Sequence, residues 1–321
     1  IVAMAFAAAG VAAALSPLSG RDYLSSADFS AAETASLLEL AVQLKTGDRR
    51  IDLGTRVLGL IFTKASTRTR VSFQVAMARL GGQTVDLTPT VTQLGRGEPL
   101  QDTARVLSRY CDVLAVRTFA QQEIADYAYW ATVPVINALT DLEHPCQALA
   151  DFLTMRETHG DLAGQTLAYI GDGNNVAHSL MLCGALLGVN VRIACPEDFE
   201  PLPGVLDQAR SMAQHGASIE VISDPVKAVS GAQAVYTDVW ASMGQEQEQS
   251  ERQLAFSGFC VDEALMDHAA ADAIVLHCLP AHRGEEISQE VIEGSSSRVF
   301  DQAENRLHAQ QALLAALMGG L

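Results

Sequence analysis

The sequence has no surplus of positive charge. Its 321 residues include 21 Lys and Arg against 38 Asp and Glu, a formal net charge of −17. Such a field repels nucleic-acid backbones and anionic lipid, so neither nucleic acid nor membrane is an expected partner. Cysteine is sparse and unpatterned: Cys111, Cys146, Cys183, Cys195, Cys260 and Cys278 form no CxxC pair. A chain this long needs no disulfide framework, and a reducing cytoplasm is the expected setting, or an organelle if the source is eukaryotic. Long apolar runs are missing too. The opening IVAMAFAAAGVAAALSPLSG holds about fifteen apolar or small residues, short of the ~20 of a membrane helix, and has no basic flank of a secretory signal. Residues 1–18 therefore read as a disordered or loosely docked extension. Position 1 is Ile rather than Met, which leaves the true start open.

What is present is apolar patterning. With 49% hydrophobic residues, the chain can bury two domain-sized cores. From Ser30 onward, short β-branched runs alternate with longer amphipathic ones, the pattern of α/β units with mostly parallel sheets flanked by helices. SAAETASLLELAVQLKTG opens with a capping box from Ser30 to Glu33 and stops at Gly47. Strands are predicted at 56–62, 83–87, 112–117 and 133–139, then at 166–170, 190–195, 218–222, 232–237 and 273–278. This divides the chain into a first domain at 19–150 and a second at 151–300. The last helical run, about 301–321, is expected to pack back on the first domain.

Chemistry-bearing stretches follow the predicted strands. STRTR (Ser66 to Arg70) stands between a strand and an amphipathic helix, with Ser66 at the expected N-cap. Helix N-termini bind anions through their exposed N–H groups, and Arg68 adds a planar fork that fits phosphate. Arg68 and Arg70 fall about 200° apart on a helix and need different partners. Taken alone, the stretch is equally an ordinary capped helix. HPCQ (His144 to Gln147) follows the strand at 133–139, where ligands of open α/β sheets collect. His144, Cys146, His277, Cys278 and His282 are metal-ligand types, but their spacing matches no closed zinc pattern, so no metal is expected. GDGNN (Gly171 to Asn175) lies where a dinucleotide fingerprint would, and Glu197 and Asp198 lie where its ribose-binding acid would. Against that reading, Val176 replaces the third glycine, and the two asparagines suit a zwitterion. DVWASMGQE and HCLP end the next two strands at the same rim. Pro280 there constrains the backbone, as a cis peptide in one reading, and aims the Leu279 carbonyl at the rim.

Taken in order, FTKASTRTRVSF, TQLGRGE, DTARVLSRY, DLEHPCQALAD, GDGNNVAHSL, DVWASMGQE, LHCLPAHRGEE and AENRLHAQQALL resemble the ornithine carbamoyltransferase family from about residue 20 to the end. The resemblance implies a carbamoyl-phosphate domain, an ornithine domain, an active site in the cleft between them, and a homotrimer with shared sites. Carried over by position, it puts Ser66, Thr67, Arg68 and Thr69 on the phosphate, and Arg117 between phosphate and carbonyl oxygen. It places His144 on the carbonyl, Gln147 on the carbamoyl amine, Gln93 in a neighbouring subunit's site, and Arg306 in the anion pocket. Asn175, Asp238, Ser242 and Met243 would hold the amino-acid end of ornithine. Asp238 and Cys278 would face its side-chain amine, Leu279 would line the carbamoyl group, and Asn174 would play a supporting part. No cofactor is implied. Gln74 stands where many relatives have Glu, and the apolar extension has no counterpart in short bacterial forms. Carbamoyl transfer to putrescine or an N-acylated ornithine is the near alternative, and an NAD-dependent oxidoreductase the distant one. The reaction implied belongs to arginine biosynthesis or a urea-cycle type of conversion.

Overall fold

The computed structural model describes residues 10–88, 96–241 and 249–321. They form two compact units, one of residues 1–150 with 304–321, the other of 151–303. Both divisions of the chain fall within helices.

In the first unit, helix α1 covers residues 10–15. Leu15 and the nearby Leu18 are wholly buried, so residues 10–18 are helical and packed rather than disordered or loosely docked as the sequence reading expects. Apolar side chains at helical spacing give that short segment a face to bury, which outweighs its simple composition. Helix α2 (Ala31–Thr46) carries the expected capping box: Ser30 Oγ accepts from the Glu33 N–H at 3.2 Å, and Glu33 Oε2 from the Ser30 N–H at 2.7 Å. Gly47 ends it at φ 81°, a conformation that favours glycine.

Strands β1 (Val57–Phe62), β2 (Gln83–Leu87), β3 (Val113–Arg117) and β4 (Val135–Leu139) alternate with α3 (Arg68–Arg79), α4 (Leu100–Leu107) and α5 (Gln121–Trp130). They pair in parallel in the order β2-β1-β3-β4. β3 is buried at every residue, and its first four, Val113 to Val116, read as an unbroken apolar run that ends in the buried Arg117. The chain runs from β1 out to β2 and then returns to β3 on the other side. The topological switch therefore lies between the C-terminal ends of β1 and β3, where open sheets gather ligands.

Helix α6 (Pro145–His159) leads into the second unit. There β5 (Thr166–Ile170), β6 (Asn190–Ala194), β7 (Ile219–Ile222), β8 (Ala234–Thr237) and β9 (Ile274–His277) form a second parallel sheet in the order β7-β6-β5-β8-β9. Its switch lies between β5 and β8. Helices α7 (Asn175–Leu187), α8 (Pro203–Met212) and α9 (Pro225–Val229) connect the first strands, and α10 (Gln249–Ala255), α11 (Glu263–Met266) and α12 (Gln289–Ile292) follow. Helix α13 (Val299–Leu317) returns the chain to the first unit, where Lys45 Nζ donates to Asn305 Oδ1 at 2.8 Å.

Candidate active site

The first unit gathers its polar side chains at its switch point. Thr69, in the first turn of α3, is 1% exposed, and its Oγ1 accepts from Arg306 Nη2 at 2.8 Å and Arg117 Nη1 at 3.4 Å. Arg117 ends β3 and Arg306 lies on α13. Two guanidinium groups buried to more than nine-tenths thus meet on one neutral hydroxyl. Buried cations that converge this way form a ready receptor for an anion with several oxygens.

His144, just before α6, is buried beside them, and Gln147 donates its backbone N–H to the His144 carbonyl at 3.1 Å. Burial, and then the fields of Arg306, Arg117 and Arg68, push the imidazole well below its ordinary range. It is therefore neutral at pH 7, and one ring N–H can donate to a carbonyl oxygen. Cys146 of the same stretch is packing: its thiol donates to the Asn137 carbonyl at 3.4 Å, and burial pushes its pKa up to about 12.

STRTR differs from its expected geometry at one point. α3 begins at Arg68 with Thr67 at the cap, Thr67 is already helical at φ −87° and ψ −58°, and no side chain caps the helix. Ser66 is therefore not the cap, and its hydroxyl is not consumed by the helix. Ser66 is half-buried, Thr67 and Arg68 are exposed, and Arg68 pairs with no carboxylate among the described residues. Arg70 turns away to pair with Asp86 of β2 and packs over the Phe62 ring at 5.1 Å. The divergence of the two arginines is the one that helical spacing predicts. Gln93 lies outside the described residues.

The second unit builds a different cluster at its own switch point. Asp238, following β8, is 6% exposed. Its Oδ1 accepts from Cys278 Sγ at 3.0 Å and from the Val239 N–H at 2.8 Å, and its Oδ2 from Asn174 Nδ2 at 2.9 Å. Asn174 Oδ1 caps α7 by accepting from the N–H groups of Val176 and Ala177. Asn174 thus orients Asp238, and Asn175 opens the helix beside it. Leu279 has φ 60°, a sparsely occupied region for a branched side chain, and the Leu279-Pro280 bond is cis. Ser242 and Met243 lie outside the described residues.

This geometry removes the dinucleotide alternative. Gly173 donates its N–H to the Phe199 carbonyl at 2.8 Å, and a Cβ there would lie 2.3 Å from Pro201 N. The space over the second glycine is filled by the chain at 199–201, where a pyrophosphate would need to sit. The amide of Asn174 also consumes helix N–H groups that such a phosphate would use.

Several contributors escape a sequence reading. Lys64 stacks on Phe119 with Nζ 3.6 Å from the ring centroid, and burial and then Arg117 lower its pKa. Arg252 ties Asp172 of the glycine loop to the Trp240 carbonyl at 3.0 and 2.7 Å. His277 Nδ1 accepts from the Leu279 N–H at 2.9 Å, while Nε2 faces the buried Glu286 at 3.0 Å. Lys64 and Arg252 meet Phe119 and Asp172, remote in sequence, whereas His277 and Glu286 belong to one stretch and are joined by its fold.

Two parallel sheets, each with polar side chains collected at its switch point, define an α/β enzyme class in which one unit carries converging buried cations. Residues 21–157 match the carbamoyl-phosphate-binding domain of aspartate/ornithine carbamoyltransferases, and residues 163–317 match their Asp/Orn binding domain. The ornithine carbamoyltransferase of Parasynechococcus marenigrum (strain WH8102) is 86% identical over 99% of this chain and 100% of its own length. That of Prochlorococcus marinus (strain MIT 9313) is 77% identical over 97% and 98%. Among solved structures, ornithine carbamoyltransferase from Pyrococcus furiosus superposes with TM-score 0.90 at 51% identity, over 95% of this chain and 99% of that one. The enzyme from Gloeobacter violaceus gives 0.85 at 55% identity, over 92% and 98%. The chain belongs to the aspartate/ornithine carbamoyltransferase family, among its ornithine carbamoyltransferases.

Proposed function

We propose that the chain transfers the carbamoyl group of carbamoyl phosphate to the side-chain amine of L-ornithine, giving L-citrulline and phosphate. The observation that carries this reading is the meeting of Arg117 and Arg306 on Thr69, beside a neutral His144. In this reading the first unit binds carbamoyl phosphate. Arg68, Arg117, Arg306 and the hydroxyls of Ser66, Thr67 and Thr69 hold the phosphate, His144 and Arg117 donate to the carbonyl oxygen, and Gln147 takes the amide.

The second unit supplies the acceptor. An alkyl amine with pKa about 10.4 is neutral in roughly one molecule in 2,500 at pH 7, so making the nucleophile is a real part of the barrier. Asp238 and Cys278 orient the amine, with Asn174 holding Asp238 and Asn175 receiving the amino-acid end. The amine nitrogen attacks the carbamoyl carbon, charge grows on the carbonyl oxygen where the preorganised donors lie, the C–O bond to phosphate breaks, and phosphate carries off the proton. Ser242, Met243 and Gln93 keep the roles that the resemblance implies.

A homotrimer with shared sites is part of the proposal. The exposed Val71 and Val75 of α3 and Val85 of β2, on elements joined by the Arg70–Asp86 pair, support a subunit contact there. So is a cytoplasmic place in arginine biosynthesis, supported by six free cysteines. Among the described residues no helix is long and apolar enough to cross a membrane.

The deciding experiment is a carbamoylation assay with ornithine, putrescine, N-acetylornithine and aspartate in competition. Citrulline should dominate. Turnover of another amine with none of ornithine would overturn the specificity, and no carbamoylation of any amine would overturn the reaction.

A further inference from the structure

We infer that His282, Glu285 and Glu286 of the HRGEE turn form a site for one divalent transition-metal ion. The three ligand atoms lie within 4.8 Å of one another, with His282 Nδ1 3.9 Å from Glu285 Oε2 and 4.0 Å from Glu286 Oε2. Ions of this class bond to nitrogen and oxygen at about 2.0–2.2 Å, so one ion fits between these atoms after small rotations of the two outer side chains.

The observation that points to a ligand is Glu286. Its side chain is fully buried, and its Oε1 accepts from His277 Nε2 at 3.0 Å and from the His282 N–H at 2.6 Å. Its Oε2, also buried, has no hydrogen-bond partner among the described residues, and it is the atom turned toward His282. Buried carboxylate oxygens are ordinarily satisfied, and a cation would satisfy this one. Glu285 repeats the arrangement: Gln253 Nε2 holds its Oε1 at 3.3 Å while Oε2 faces the cluster. Each carboxylate thus has one oxygen committed to the protein and one directed inward, as supporting contacts arrange metal ligands. His282, 49% exposed at its side chain, leaves an entry path and room for water ligands. One imidazole and two carboxylates select the manganese-to-zinc series over calcium and magnesium, which favour all-oxygen sites. Because Glu286 also holds His277, which accepts from Leu279, an ion here stiffens the HCLP turn that carries Cys278.

A second group, Asp238, His277 and Cys278, also has ligand atoms within 4.8 Å of one another, and it belongs to the candidate active site. The test separates the two by their sulfur. Full-length protein freed of metal by chelation is titrated with Co2+ by calorimetry and absorption spectroscopy, with Zn2+ as competitor. The expected result is one Co2+ per chain with nitrogen and oxygen bands, no thiolate-to-cobalt band, full retention in Cys278→Ser, and displacement by Zn2+. His282→Ala and Glu285→Gln, both changes at accessible side chains, should weaken binding at least about tenfold, while the thermal midpoint of metal-free protein stays unchanged. Three results would overturn the site: no Co2+ bound, equal affinity in both variants, or binding that carries the thiolate band and vanishes in Cys278→Ser.

Discussion

Thr69→Val tests the anion receptor at its hub. The substitution keeps the branched shape of a side chain that is 1% exposed and removes the one oxygen on which Arg306 and Arg117 meet. The Arg306 bond, at 2.8 Å, is of full strength, whereas the Arg117 contact, at 3.4 Å, exceeds the usual range and counts for little. A hydrogen bond to a charged donor contributes about 1.5–3 kcal/mol, so the unliganded protein should lose roughly that much against urea. Carbamoyl phosphate should bind up to about 10- to 150-fold more weakly, because the Arg306 guanidinium loses the acceptor that orients it before the ligand arrives. Thr69→Ser restores the acceptor and should recover most of both losses. The assays are equilibrium unfolding and calorimetric titration with carbamoyl phosphate and with phosphate. A Thr69→Val protein within about 0.5 kcal/mol of wild type, with unchanged ligand affinity, would refute the reasoning.

Arg68→Gly should raise the KM for carbamoyl phosphate by about tenfold or more while the fold survives, since Arg68 is exposed and holds no ion pair among the described residues; steady-state kinetics with circular dichroism check this. Cys278→Ser should weaken ornithine use and leave carbamoyl-phosphate binding intact, and unchanged ornithine kinetics would assign the thiol to packing. Gly173→Ala drives a Cβ to 2.3 Å from Pro201 N, which is backbone and yields little, so a loss of about 1–3 kcal/mol is expected in urea unfolding. His144 has a folded pKa well below its unfolded one, so below the ordinary imidazole value near 6.5 the unfolded chain takes up a proton that the native chain refuses. Stability should therefore fall with pH from 6.5 downward by about 1.4 kcal/mol per unit from this residue, and His144→Gln should remove that slope.

The inner strands are legible because parallel strands covered on both faces are apolar along most of their length. VLGLIF and TLAYI therefore announce themselves without any partner in view. Capping chemistry at Ser30 and Gly47 is equally local, and so is the divergence of Arg68 from Arg70. The start of α3 is not. Ser66 satisfies every local rule for a cap, yet Thr67 takes up the helical conformation one residue later, and no residue type within the pentapeptide encodes that shift. Residues 10–18 fail differently: an apolar run too short for a membrane span suggests a disordered or loosely docked extension, but burial of Leu15 and Leu18 depends on a surface built by the rest of the unit.

The site divides along the same line. STRTR, HPCQ, GDGNN and HCLP are visible as stretches because each puts its chemistry at the end of a strand. That Arg306 reaches Thr69 across 237 positions of sequence is visible only through family resemblance, and that Glu286 grips His277 is visible only in three dimensions. The charges show why such distant pairings decide the chemistry. A net charge of −17 should favour protonated imidazoles everywhere, yet His144 is held neutral by burial and three nearby guanidiniums. Screening confines bulk charge to about 8 Å at physiological salt, while groups buried together are barely screened. The global charge thus governs which partners approach, and the placement of a few buried cations governs which anion is held.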